Sequence, residues 1–294
     1  MGQRVFVSGA TGVLGRRVIP QLVEAGHRVT AVVRSEEKAA LIRAAGATPV
    51  SVDLFDRPAL RVALAGHDSV AQLATNIPTG RAAADPSAWL VNDSLRRDAA
   101  PAIAGAATDV DVARYIQESI TFPYLDGGDG WVDEQYERDF NSATNSVAVA
   151  EDAAAGFTNA GGTGIVLRFA MFMAPDSAHT LGSFAAAQRG QFALLGDLAG
   201  YISFVHMNDA ASAVIAALEI PAGTYNVAEP NPVRRSAHRD ALADATGRAS
   251  LDPTATPPGG ATLARSQRIS TQRLRDVSSW TPTVHCVDQW KELR

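Results

Sequence analysis

The sequence predicts an α/β fold: a doubly wound parallel sheet over residues 1–170, then a smaller, irregular capping region over residues 171–294. Three observations carry this expectation. Short apolar runs alternate with helical patterns through the first half, as βα units around a parallel sheet require. The first such junction is a glycine-rich turn. Beyond about residue 170, proline and glycine become frequent, the elements shorten and the rhythm is lost.

The elements follow in order. Val5-Phe6-Val7-Ser8 is a buried-strand run, and the apolar positions Val13, Leu14, Val18, Ile19, Leu22 and Val23 place a helix that stops at Gly26. Val29 to Val33 is a second strand, and Glu36 to Ala45 a second helix ending at Gly46. Val50–Val52, Ser69–Leu73, Ala113–Gln117 and Gly164–Arg168 supply four more strands. In a sheet of this kind, ligands bind at the carboxyl ends of the strands. In the capping region, Tyr201–Val205 and Thr224–Val227 read as isolated strands, Asn208–Leu218 and Ser236–Ala245 as helices, and Asp252–Gly260 as a loop.

Composition excludes several classes of function. The chain has 294 residues, 46% hydrophobic and 19% charged, which is ordinary for a globular protein. Its single cysteine, Cys286, rules out a disulfide framework and a thiolate-clustered metal site, and no metal is expected. A net charge of −5 without any Lys/Arg block argues against nucleic acid as a partner. No apolar run reaches the ~18–20 residues needed to cross a bilayer. Because the N-terminus enters a strand at once, a cytoplasmic location is expected. Only Lys38 and Lys291 are lysines, so any mechanism that needs one has two choices.

The first βα junction reads Gly9-Ala10-Thr11-Gly12-Val13-Leu14-Gly15. Glycines here permit a tight turn and close backbone approach to a pyrophosphate, while the following helix offers unpaired N–H groups and a positive dipole end. Gly9, Thr11, Gly12, Val13, Leu14 and Gly15 are therefore the expected cofactor contacts. The second strand ends at Val33-Arg34-Ser35. A carboxylate at that point would take the ribose 2′-hydroxyl of NAD, whereas Arg34 offers a cation for a 2′-phosphate, so NADP(H) is expected over NAD(H).

The spacing of Gly9, Gly12 and Gly15 is similar to that of the short-chain dehydrogenase/reductase superfamily, in its extended and atypical, epimerase/dehydratase-like branches. Other segments carry the resemblance through most of the chain: Asp53-Leu54, Leu73-Ala74-Thr75, Asn92, Val112 to Ser119, Leu167-Arg168-Phe169 and Val205-His206-Met207-Asn208-Asp209-Ala210. The resemblance implies a Rossmann-type fold. It also implies adenine contacts at Asp53 and Leu54, ribose contacts at Ala74 and Thr75, a nicotinamide contact at Phe169, and a homodimer through the fourth and fifth helices.

One part of the family pattern is missing. Standard members pair a tyrosine with a lysine four residues on, the lysine lowering the tyrosine's pKa. Four residues after Tyr115, Tyr124, Tyr136, Tyr201 and Tyr225 stand Ser119, Gly128, Phe140, Val205 and Glu229. Aligning the family's Ser-Lys-x-x-x-Glu with Ser146 to Glu151 puts Val147 in the lysine place and Ala143 in the tyrosine place. The expected substitutes are Ser119, Thr121 and Tyr124, on the loop after the fifth strand. His179 is a further candidate from the opposite lip, and His206 is read as structural. Phe169, Met171, Phe172, Met173, Phe184 and Trp131 suggest an apolar or aromatic small-molecule substrate. The expected function is an NADP(H)-dependent oxidoreductase acting on a carbonyl or alkene with non-classical acid–base groups. The alternatives are a non-redox isomerase, cyclase or lyase on the same fold, and an NmrA-like NADP(H) sensor without catalysis.

Overall fold

The computed structural model describes residues 2–78, 82, 85–141, 144–193, 196–254 and 261–293. Its first half alternates as the apolar runs demand: β1 (Arg4–Ser8), α1 (Gly15–Glu24), β2 (Arg28–Val32), α2 (Glu36–Ala44), β3 (Thr48–Val50), α3 (Arg57–Leu64) and β4 (Ser69–Gln72). α4 (Leu90–Ser94) and α5 (Ala100–Asp109) follow, joined by a π-helical turn at Leu95–Ala99, and then β5 (Arg114–Ile120) and β6 (Trp131–Val132). α6 (Asn145–Asn159) leads into β7 (Thr163–Phe169) and β8 (Met171–Met173).

Local chemistry sets several of these boundaries. Ser35 caps α2 by accepting from the Lys38 backbone N–H, and Asp56 caps α3 by accepting from Ala59 N–H. Gly26 and Gly46 follow α1 and α2 at φ +83° and +82°, a region that a side chain resists.

The remainder holds α7 (Ala178–Gln188), β9 (Gln191–Ala193), β10 (Tyr201–Ile202), β11 (Phe204–His206), α8 (Met207–Ala216) and β12 (Gly223–Val227). β13 (Val233–Arg234), α9 (Arg235–Ala245), β14 (Asp252–Thr254), α10 (Ala261–Ala264), β15 (Arg268–Ile269) and α11 (Gln272–Val277) complete it, before a 3₁₀ segment at Cys286–Leu293.

The main sheet has seven parallel strands in the order β12-β7-β5-β4-β1-β2-β3. Strand order reverses between β1 and β4, so a crevice opens beyond their carboxyl ends. Apolar side chains cover both faces. Val5, Val7, Ala71, Ile116 and Leu167 pack under α1 and α8, and Phe6, Val70, Tyr115 and Val166 under α3, α5 and α6. The expected Rossmann-type architecture is thus present.

Three expectations need correction. Thr224–Val227 is no isolated strand; it lies within β12, which pairs in parallel with β7 across Gly223–Val227 and closes the sheet's edge. So short a run carries no sign of its partner. Tyr201–Val205 breaks at Ser203, whose hydroxyl donates to Gln267 O (2.9 Å) and accepts from Ile269 N–H (3.0 Å), splitting β10 from β11. Within Asp252–Gly260, the first three residues form β14 against β9, while 255–260 lie outside the described residues.

The C-terminal segment is tied down by two buried carboxylates. Asp209 accepts from Thr283 N–H, Thr283 Oγ1 and Val284 N–H, each at 3.0 Å, while Trp280 Nε1 donates to its backbone oxygen. Glu229 accepts from Cys286 N–H at 3.0 Å, but its other oxygen has no partner among the described residues. Burial pushes the Glu229 carboxyl up to about 7 from an ordinary 4.5. The unfolded chain therefore ionises first as pH rises. Stability is full below 4.5 and declines until pH reaches about 7. Glu229→Gln, which keeps an acceptor for Cys286, should add on the order of 3 kcal/mol at about pH 8 and almost nothing at about pH 4. Urea unfolding at the two pH values checks this, and an equal effect at both would refute the assignment.

Candidate active site

Because the main sheet is parallel, Ser8, Val32, Val50, Gln72, Ile120, Phe169 and Val227 end on one edge. At the strand-order reversal, the turn after β1 runs hard against the end of β4. A Cβ on Gly9 would lie 2.5 Å from the Leu73 carbonyl, and the residue sits at φ +70°. A Cβ on Gly15 would lie 2.2 Å from Gly9 O. Only glycine fits either position. At Gly12 the nearest atom to such a Cβ is Gly9 O, at 3.2 Å, and the residue is exposed. Beside it Thr11 is half-buried, Val13 is 44% exposed, and Leu14 is buried in the core. α1 starts with no acidic residue in its first turn and no side-chain cap. The N–H groups of Arg16 and Arg17 go to Gly12 O and Leu14 O, which leaves those of Val13, Leu14 and Gly15 without a partner among the described residues. This geometry fits a dinucleotide pyrophosphate.

Other expected contacts line the same edge. Arg34 stands exposed two residues beyond β2 and makes no ion pair among the described residues. Asp53 and Leu54 follow β3, the first exposed, with one carboxylate oxygen accepting from Phe55 N–H at 3.0 Å. Ala74 is half-buried and Thr75 exposed, and buried Asn92 accepts from Asn76 N–H (3.1 Å), bracing that segment. Phe169 is buried, its ring centroid 5.3 Å from that of Phe172, so the side chain faces the core.

The three hydroxyl candidates have different fates. Ser119 Oγ donates to Glu151 at 2.6 Å. Arg168 holds the same carboxylate with two parallel bonds, Nε to Oε1 at 2.8 Å and Nη2 to Oε2 at 2.7 Å, and Arg138 reaches it from outside. Tyr124 OH accepts from Arg168 Nη1 at 2.7 Å and donates to Asn226 Oδ1 at 2.8 Å. Ser119 and Tyr124 thus meet in one buried network that engages both hydroxyls. Burial also pushes the Tyr124 phenol up to about 12, opposite to the direction a proton-transferring tyrosine needs. Thr121 is buried in the turn beyond β5, its backbone N–H on Phe169 O, and its hydroxyl makes no hydrogen bond among the described residues. Val147, in the lysine place, is fully buried, and Ala143 lies outside the described residues.

The capping region adds a cavity of about 110 Å³, walled by Met171, Phe172 and Met173 from β8, by His179 and Thr180 of α7, and by Phe192, Phe204 and Trp290. Arg16 and Arg17 of α1 pair with Asp176 in the loop before α7, which ties this wall to the glycine turn. Trp131 and Phe184 do not line the cavity. β6 holds Trp131 outside it under the Arg268 guanidinium, 4.1 Å from the ring centroid, and Phe184 packs in the cap's own core. His206 Nδ1 accepts from Asn208 N–H and caps α8. Among the cavity residues that sequence reasoning missed are Arg235 and His238. Their spacing of three on a helix was the available signal.

Comparison with known proteins agrees with this geometry. Residues 9–162 match the family model described as NAD(P)H-binding. An uncharacterized protein of Schizosaccharomyces pombe is 49% identical over 67 residues, so the chain spans only 23% of that relative's length. A 3-diazoavenalumate denitrifying reductase from a Streptomyces species is 29% identical over 78% of this chain and 77% of its own. In structure, the chain is similar to UDP-glucuronic acid 4-epimerase from Bacillus cereus, solved with UDP-glucuronic acid and NAD. The TM-score is 0.79 at 16% identity, over 98% of this chain and 96% of that one.

The carboxylate at the centre of the network sets its stability. Burial alone would raise the pKa of Glu151, but Arg168, Ser119 and Arg138 outweigh it and hold the group below the ordinary carboxylate value. Its stabilising contribution is therefore present above about pH 4.5 and is lost as pH falls through the lower folded value. Glu151→Gln strands a buried guanidinium and should cost about 3–5 kcal/mol at neutral pH. The deficit should shrink on acidification. Urea midpoints for both proteins across pH would show it, and a deficit below about 1 kcal/mol at neutral pH would contradict this role.

Proposed function

We propose that this chain, which belongs to the NAD(P)H-binding family, is an NADPH-dependent reductase that adds hydride to a carbonyl or activated alkene of a small apolar or aromatic molecule. The observation that carries the reading is the Gly9–Gly15 turn. It lies at the strand-order reversal, with an open face at Gly12 and an uncapped helix start behind it. Arg34 supports NADPH over NADH, as an exposed cation at the end of β2 that suits a 2′-phosphate. The Streptomyces relative, itself named a reductase, supports the direction of the chemistry.

A bound nicotinamide supplies the hydride, and this chain's residues hold and polarise the acceptor. Ser119 and Tyr124 brace the sheet edge through Glu151 and Arg168. Thr121 keeps a hydroxyl free to donate to the oxygen that gains charge, and water then delivers the proton. A positioned general acid is typically worth about 10²–10⁴ in rate, so the substrate must already be polarised, as a conjugated ketone or an iminium is. Val147 in the lysine place favours one alternative, in which the dinucleotide is retained while the chemistry is not redox.

Calorimetric titration should show NADPH binding at least about ten-fold more tightly than NADH. Arg34→Ala should remove that preference without weakening NADH. Equal affinities in the unaltered protein would rule out the 2′-phosphate role. With conjugated ketones, loss of NADPH absorbance should accompany turnover, and Thr121→Ala should lower kcat about ten-fold while leaving NADPH affinity alone. Product formed with no cofactor consumed would decide for non-redox chemistry.

A further inference from the structure

The cavity in the capping region is walled largely by apolar side chains, with the polar His179, Thr180, Ser183, Gln191 and His238 among them, and holds one charged group. Arg235 lines it, is only 4% exposed, and has no carboxylate within ion-pairing distance among the described residues. Its Nη2 donates to Leu263 O (3.2 Å) and Arg265 O (2.6 Å). Nε and Nη1 are buried without any partner among the described residues. Asp126 and Asp197 act on it only from beyond ion-pairing distance, and a guanidinium so far out of water with incomplete hydrogen bonding is costly, so such a group in a cavity wall points to an anionic partner supplied from outside.

One helical turn further along α9, His238 lines the same cavity. Its ring stacks on Phe204 with centroids 4.7 Å apart. Its Nδ1 accepts from Trp290 Nε1 at 3.4 Å, which places the proton of a neutral imidazole on Nε2. Burial lowers this histidine to about 3, so it stays neutral and Nε2 remains a donor at physiological pH. Phe192, Phe204 and Trp290 supply ring faces and edges around it. A volume near 110 Å³, against about 150 Å³ for an apolar cavity that takes benzene, limits the ligand to at most one six-membered ring.

We propose that this cavity takes a monocyclic aromatic carboxylate, its ring among Phe192, Phe204 and Met171 and its carboxylate accepting from an unpartnered N–H of Arg235. The guanidinium supplies the counter-charge and a charge-assisted hydrogen bond to the carboxylate. The inference rests on the reductase reading for what the ligand does there, namely act as substrate.

The test uses the full chain and three probes, benzoate, benzamide and acetate, titrated calorimetrically with and without NADPH. Benzoate should bind about ten- to hundred-fold more tightly than benzamide, the range that a charged hydrogen bond supplies, and acetate more weakly than benzoate because it leaves the ring site empty. Arg235→Gln should bring benzoate down to the level of benzamide while leaving NADPH affinity unchanged. Benzoate and benzamide binding alike in the unaltered protein, or neither binding, would overturn the proposal without recourse to the variant. Failure of NADPH to bind, with benzoate selectivity intact, would sink the reductase reading and leave the carboxylate site standing.

Discussion

A full positive charge sits almost out of reach of water on the main sheet, and much of the surrounding structure is arranged to neutralise it. Arg168 near the end of β7 is 3% exposed, and it is tolerable there because Glu151 meets it with two parallel hydrogen bonds. Glu151 comes from α6, and Ser119, which completes its bonding, comes from β5. The remaining donor of Arg168 reaches Tyr124, which passes the contact to Asn226 on β12. One desolvated guanidinium therefore couples α6 to three neighbouring strands. Its partners hold still, since losing any of them would expose a buried charge to an apolar surrounding.

This arrangement decides what chemistry remains at the sheet edge. The hydroxyls of Ser119 and Tyr124 are taken up in bracing Glu151 and Arg168, and Val147 is buried in the place where a lysine would stand. Binding and chemistry thus separate along the edge. The glycine turn keeps an open face and Arg34 stands exposed, while the Thr121 hydroxyl makes no hydrogen bond among the described residues. Under the proposed reductase reading such a site depends on the reactivity of its substrate, which gives the shape and charge of the capping cavity more weight than usual.

The capping cavity repeats the same physical theme with the opposite outcome. Arg168 is matched by a carboxylate from the chain itself, whereas Arg235 has two nitrogens without a partner among the described residues, beside a space lined in part by aromatic rings. Two buried arginines in one small protein therefore differ in who supplies the anion. The first is a feature of folding, and the second is open to a ligand.

The sequence by itself determined the sheet, the glycine turn and the sign of the charge after β2. Those features depend on local chemistry: apolar period, positive φ at Gly9, and the residue type at position 34. It also exposed the missing lysine, since that required only spacing. Tertiary structure alone decided where Thr224–Val227 pairs, which hydroxyls face inward, and what Arg235 and His238 share. Strand partners, the direction of a loop tyrosine and the convergence of α9 with Trp290 all depend on contacts between residues far apart in the chain. A period of two or 3.6 residues carries no record of those contacts.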